Sequence, residues 1–262
     1  MGERRRRKPL VALATPIGSS CSTEYTRSLV LCFAQPHEFP DFALARLDCV
    51  GSLIPHNRNI LCADAIEMGC SALVEVDSDM VWTPEDVRAL VAPILRGRAE
   101  IVAAPCSPRV IDWDYLREAA ARGEQDLSRH IGPAHMELLP EDADAKRLRG
   151  FKLGSHTYVR MARMGLGMTA VGRETLLRCA QVAPKYGPST MTSGRVLADL
   201  HPQGVVEGQY DSEDIGFFRF VAPTPVYACV TADVGHESAG NVFKQDWFNG
   251  MLKKGWAFEL EG

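Results

Sequence analysis

Residues 72–76, ALVEV, form a short apolar run with a helical pattern on either side. A run of that length and character reads as a strand covered on both faces. Before it, NRNILCADAIEMG (57–69) puts Ile60, Ala63 and Ile66 on successive turns and stops at Gly69. After it, TPEDVRALVAPILRG (83–97) opens with Thr83 as N-cap and Pro84 at the first helical position. Glu85 and Asp86 follow at the positive end of the helix dipole, Pro93 should distort the last turn, and Gly97 ends it. Further strand-like runs stand at 10–14 (LVALA), 100–104 (EIVAA) and 226–230 (VYACV). Strands and helices thus alternate through the first 105 residues. That alternation predicts an α/β fold with a mostly parallel central sheet flanked by helices. No internal repeat and no clear linker divides the 262 residues. The expected organisation is one domain over 9–250, a disordered basic tail at 1–8 and a C-terminal extension at 251–262.

Charge and cysteine content exclude several classes. The net charge of −4 does not suit a general nucleic-acid binder. The basic residues Arg4 to Arg7 and Lys8 are concentrated in the tail, so the remainder is more acidic than the total. That tail reads as a solvated start, with contact to an anionic partner as the alternative. The apolar stretch behind it is short, is interrupted by Pro16, and lacks a convincing cleavage site, so it reads as a first strand rather than a signal peptide. No apolar stretch reaches the roughly 18 residues of a membrane span. None of the eight cysteines forms a C-x-x-C pair, and several lie in apolar runs. Reduced, buried thiols in a cytoplasmic protein are expected, without a zinc site.

The apolar run ends in Asp77-Ser78-Asp79. Strand residues i and i+2 share a face, and at the carboxyl end of a strand that face opens into the crevice where open α/β sheets bind ligands. Two carboxylates there make a hard, oxygen-rich site suited to Mg²⁺ or Mn²⁺, with phosphate completing the shell. The plain structural reading is a pair of exposed turn aspartates.

LVEVDSDMVWTPEDVRALV (73–91) resembles the D-x-D region of GT-A glycosyltransferases, the Rossmann-like, metal-dependent enzymes that use nucleotide sugars. Further stretches resemble that family in the expected order. ATPIGSS (14–20) is similar to the first strand and turn, and HNRNILCADAIEMG (56–69) to the helix before the D-x-D strand. SEDIGFFRF (212–220) is similar to the late acidic motif, and VGHESAGNVF (234–243) to the late histidine segment. Together they span roughly residues 10–245, most of the chain. The resemblance implies that Asp79 binds the metal, Mn²⁺ or Mg²⁺, and that Asp77 contacts the ribose or the metal and its waters. It implies His236 as a further metal ligand, although Glu237-Ser238 departs from the usual H-x-G pattern. Thr15 and Pro16 would shape the nucleotide pocket through backbone contacts, and Arg58 would sit near the nucleotide or order the D-x-D loop. Asp214 would be the general base of an inverting reaction, with Glu213 positioning the acceptor. The implied donor is a nucleoside-diphosphate sugar, a UDP-sugar first among them. The acceptor is a hydroxyl on a glycan, a protein, a lipid-linked sugar or modified DNA.

The residues admit structural readings beside these. Glu213 and Asp214 suit a helix N-terminus electrostatically. Arg58 suits a helix-start surface arginine, and His236 a satisfied loop histidine. Gly165, Gly167 and Ala170 fit G-x-G-x-x-A, but without a clear βαβ setting they make a poor dinucleotide fingerprint. Such a small-residue stretch borders donor sugar and acceptor in GT-A enzymes. HESAG lacks the second histidine of a zinc protease. Two rivals remain: a sugar-phosphate nucleotidyltransferase, and a non-catalytic glycan or nucleic-acid binding module on the same fold. The former needs a basic, glycine-rich loop after the first strand, where PIGSSCSTEY stands. The long stretches 112–150, with LREAAARGEQDLSRH (116–130) helical and LPEDADAKRLRG a polar excursion, and 184–212 are expected to form variable loops on the acceptor side.

Overall fold

The structure, a computed structural model, describes residues 7–187, 194–238 and 240–261. The chain starts with β1 (Leu10–Ile17), α1 (Thr23–Ala34), β2 (Ala43–Val50) and α2 (Ile54–Glu67). Next come β3 (Ala72–Val76), the short β4 (Met80–Val81), α3 (Pro84–Leu95) and β5 (Ile101–Ala103). Past α4 (Trp113–Ala121) lie the hairpin strands β6 (Arg147–Leu153) and β7 (His156–Met161). Then follow β8 (Met168–Gly172), α5 (Arg173–Val182) and α6 (Glu213–Val221). β9 (Val226–Cys229), β10 (Gly235–Ser238), β11 (Asn241–Lys244), α7 (Trp247–Lys253) and β12 (Ala257–Leu260) close the chain.

Nine strands form one sheet in the order β12-β6-β7-β9-β5-β8-β3-β1-β2. β1, β2, β3, β5, β6, β9 and β12 run one way; β7 and β8 oppose them. Alternate strand residues serve opposite faces. Val11, Leu13, Val74 and Val76 join one buried cluster with Leu29 of α1 and Leu90 of α3. Ala12, Ala14 and Leu73 join a second with Leu61 of α2, Leu176 of α5 and Phe217 of α6. The result is a mixed α/β sandwich, helices on both faces of a sheet with buried central strands.

Local chemistry sets the element ends. α3 starts where expected: Thr83 and Asp86 exchange side-chain-to-backbone bonds in a capping box. Gly69 and Gly97, at φ +72° and +66°, follow α2 and α3 in the left-handed region. α2 begins at Ile54, earlier than the pattern at 57–69 suggests, because Pro55 occupies its first turn. Within 112–150 the expected helix at 116–130 is α4, which starts three residues earlier and is shorter, and the start of β6 follows; 184–212 contains the hairpin Gly204–Val206 with Gln209–Asp211. Gly150 lets β6 approach β7, since a Cβ there would meet the Tyr158 carbonyl oxygen at 1.8 Å. In the expected C-terminal extension, Ala257–Leu260 pairs in parallel with β6 as a sheet edge. The expected tail falls mostly outside the described residues; Lys8 Nζ donates to the Phe39 carbonyl at 3.2 Å. The eight cysteines are free thiols. No helix among the described residues is long and apolar enough to cross a membrane.

Candidate active site

β3 ends at Val76, and the chain turns through Ser78 and Asp79 into β4. Asp77 N–H donates to the Gly167 carbonyl at 2.9 Å, which continues the β3–β8 pairing past the last strand residue. Asp77 thus stays on the strand ladder, and the two aspartate side chains turn to different partners. Asp77 Oδ1 accepts from Arg58 Nη2 at 2.6 Å, while Arg58 Nη1 reaches Glu75 Oε2 at 3.2 Å. Arg58 is 1% exposed, so its guanidinium is fully buried between two carboxylates. Burial alone would lower its pKa, but Asp77 and Glu75, then Asp214 and Glu213, push it up and hold it charged. For Asp77 burial is the larger effect and raises its pKa against the pull of Arg58. Arg58 is thus no surface arginine: it orders the D-x-D turn from inside.

Asp79 meets His236. β10 pairs antiparallel with β4, setting His236 opposite Met80, and Glu237 N–H donates to the Asp79 carbonyl at 2.8 Å. His236 Nε2 lies 3.2 Å from Asp79 Oδ2. Its Nδ1 lies 2.8 Å from the Ser107 carbonyl, which only accepts, so Nδ1 carries a proton and Nε2 points at Asp79. Arg109 completes the group: Nη2 is 2.7 Å from Asp79 Oδ2, and Nε donates to His236 Nε2 at 2.9 Å. Nε2 cannot accept from Arg109 and donate to Asp79 together, so a proton on Nε2 and the Arg109 bond are alternative states. Burial would raise the Asp79 carboxyl, but His236 and Arg109 outweigh it and hold its pKa below the usual value. Burial opposes the His236 imidazolium, yet Asp79 and the Ser107 carbonyl raise its pKa.

Asp214 lies in the first turn of α6, after Ser212 at the N-cap and Glu213. Burial lifts its carboxyl pKa to about 6; Arg58 opposes the rise, Asp77 and Glu213 add to it, and the Leu166 backbone N–H stabilises the anion. A Cβ on Gly165 would stand 3.7 Å from Asp214 Oδ2. The 165–167 stretch therefore joins the two acidic centres, with Leu166 N–H on Asp214 and the Gly167 carbonyl on Asp77. At Gly167 a Cβ would come within 2.9 Å of Cys106 Sγ, so this position must be small.

Thr15 and Pro16 turn inward. Thr15 Oγ1 and Tyr25 OH share a 2.6 Å hydrogen bond, and Tyr25 packs edge-on against Trp82 at 5.2 Å. Only their backbone could meet a nucleotide. The structure thus brings Asp77, Asp79, Arg58, His236 and Asp214 into one electrostatic neighbourhood with Glu213 beside it, and leaves Thr15 and Pro16 as strand core.

Sequence reasoning missed Glu75, Arg109, Ser107, Asn59 and His201. A carboxylate inside a buried strand was the one available signal, and it pointed to Glu75. Asn59 Oδ1 accepts from Leu200 N at 2.9 Å and His201 N at 3.1 Å, fastening the segment before α6 to α2. His201 stacks on Phe217 with ring centroids 5.0 Å apart, and its Nε2 faces Glu75 Oε2 at 3.3 Å. Ligand atoms of Cys62, Glu75 and His201 also lie within 4.8 Å of one another. There the cation is already built in, because Arg58 is locked on Glu75 with a side chain 2% exposed.

The donor set at Asp79 fits a divalent ion. Asp79 Oδ1 is buried with no hydrogen-bond partner among the described residues, and His236 Nε2 is oriented beside it by a backbone carbonyl. The carboxylate oxygen suits Mn²⁺ or Mg²⁺, and the imidazole nitrogen favours Mn²⁺ of the two.

No family model matches the sequence, and no curated protein matches it. Among solved structures, A197 from STIV is similar over 90% of this chain and 94% of that one, at 14% identity and a TM-score of 0.48. Glucosyl-3-phosphoglycerate synthase from Mycobacterium tuberculosis, in complex with Mn²⁺, uridine diphosphate and phosphoglyceric acid, is similar over 70% of this chain and 60% of that one. Its identity is 15% and its TM-score 0.32.

Proposed function

We propose that the chain is a metal-dependent glycosyltransferase of the GT-A kind, moving a sugar from a nucleoside diphosphate to a hydroxyl acceptor with inversion. The observation that carries this reading is the joint placement of two carboxylate centres of opposite character. Asp79, held anionic beside His236, suits a cation; Asp214, with its pKa near 6, suits a proton. Asp79 and His236 would hold Mn²⁺ or Mg²⁺, with Asp77, bonded to Arg58, beside the ion's waters. A bound divalent ion would stabilise negative charge on the departing diphosphate. Asp214 accepts the acceptor's hydroxyl proton as the new bond to the anomeric carbon forms. The bond from that carbon to the diphosphate oxygen breaks, and its electron pair stays with the diphosphate. A carboxylate with a pKa near 6 is a stronger base than an ordinary aspartate and remains ionised at neutral pH. Glu213 positions the acceptor, and the cytoplasm, which keeps thiols reduced, is the proposed location.

The test is melting temperature with Mn²⁺ across nucleoside diphosphates and nucleotide sugars, UDP-sugars first. Ligand at about 100 times its dissociation constant stabilises by about 2.7 kcal/mol, or about 5–10 °C in a chain this size. The shift is expected with one nucleotide, only with metal, and not in Asp79→Ala. A well-folded protein that shifts with none of them would overturn the reading.

A further inference from the structure

Arg109 sits in the loop between β5 and α4, and its backbone is tied to β10. Ser238 Oγ donates to the Arg109 carbonyl at 3.2 Å, and His236 Nδ1 to the Ser107 carbonyl at 2.8 Å. Between those ties the guanidinium folds back onto Asp79 and His236. It takes His236 Nε2, the imidazole nitrogen a divalent ion would take, and Asp79 Oδ2, on the carboxylate whose Oδ1 has no partner among the described residues. Its side chain is 59% exposed, against 2% for the locked Arg58. A guanidinium on a carboxylate is a strong ion pair when buried, but an exposed one exchanges with solvent and competing cations at little cost.

We propose that Arg109 is a displaceable internal counter-cation: it and a divalent ion exclude each other at His236 Nε2, beside the Asp79 carboxylate. This rests on the metal reading of that pair. It makes Arg109 a positioning residue that holds the D-x-D turn and β10 in register without metal and sets how tightly the ion binds. An ion that takes Nε2 must break the Arg109–His236 bond, so wild-type affinity is the intrinsic affinity reduced by that competition.

Two measurements test it, and neither uses activity. Mn²⁺ binding is followed by the paramagnetic signal of the free ion for wild type, Arg109→Gln and Asp79→Ala. Arg109→Gln is expected to bind about tenfold tighter, and Asp79→Ala not to bind. The Arg109 Nε–H proton is then followed by NMR, assigned by its loss in the Gln variant, with and without Mg²⁺. Its exchange with solvent is expected to be slower in the metal-free protein, where it is bonded to His236 Nε2, than at saturation. Equal Kd values in wild type and Arg109→Gln, with binding still lost in Asp79→Ala, would overturn the proposal and leave the glycosyltransferase reading standing. Tighter binding with an Nε–H that ignores Mg²⁺ would also overturn it, because charge repulsion alone would then explain the gain. No Mn²⁺ binding by either protein would remove the metal reading and the proposal with it.

Discussion

Asp214 carries the most testable single-residue chemistry. Burial raises its pKa to about 6, so its base form dominates above that pH and disappears below it. Release of nucleoside diphosphate from the donor is expected to fall about tenfold per pH unit below about 6. Asp214→Asn should lower the rate by about 10²–10⁴ and flatten that limb. The stability effect has the opposite sign. A carboxyl whose folded pKa is raised contributes most below its unfolded value of 3.8 and loses that contribution as pH rises through about 6. At pH 7 the neutral Asn variant should therefore melt no lower than wild type, which separates lost chemistry from lost fold. How legible such residues are depends on their surroundings. Asp77 and Asp79 stand out because they end an apolar run, and Asp214 because phenylalanines follow it. Arg109 sits in SPRVID, a polar loop with no periodicity, and only tertiary pairing of β10 with β4 brings His236 to it.

At the scale of elements, the site depends on how closely α6 can approach the 199–203 segment. A Cβ at Gly216 would come within 1.8 Å of the Pro202 carbonyl oxygen, a rigid backbone atom. That segment is fixed in turn by Asn59, the neighbour of Arg58 on α2. α2 thus orders the D-x-D turn with one residue and the docking of α6 with the next. Gly216→Ala must displace α6 or Pro202 and is expected to cost about 1–3 kcal/mol. Melting should fall by about 2–10 °C. With Asp214 displaced by about 1 Å, turnover should drop about 100-fold, while the metal-dependent nucleotide shift stays, because Asp79 and His236 are held by β4 and β10. Loss of the nucleotide shift as well would show that α6 supports both centres. Elements with a local signature were readable: β1, β3, β5 and β9 as apolar runs, α3 by its cap. β2 was not, because as an exposed edge strand it reads ALARLDCV with charges in it. Nor was β8, whose MTAVG resembles a glycine-rich turn until β3 and β5 enclose it.

For the whole molecule, one edge of the sheet collects the chemistry. The carboxyl ends of β3 and β5 lead to Asp77–Asp79 and to Ser107–Arg109, and the chain beyond β9 returns as β10 with His236. β8 runs against its neighbours, so its amino end brings 165–167 to that same edge. Ligands of open α/β sheets bind beyond the carboxyl ends of the strands, and here a reversed strand supplies the floor between two acidic centres. β12 lies at the far lateral edge of the sheet, beyond β6, β7, β9, β5 and β8 from β3. Its end is fastened by Tyr227 OH donating to Glu261 Oε2 at 2.9 Å and by Glu261 N–H donating to the Gly150 carbonyl at 2.6 Å. Removing residues 257–262 unpairs one edge of β6 and uncovers Phe248, on which Phe258 packs T-shaped at 5.5 Å. The loss is expected to be about 1–3 kcal/mol, which lowers the melting temperature by about 2–10 °C. Because β3, β4 and β10 keep all their partners, the Mn²⁺ dissociation constant of the truncated protein should stay within about twofold of wild type. A larger change in metal binding, measured below the new melting temperature, would mean that the far edge is mechanically coupled to the D-x-D turn through the intervening strands.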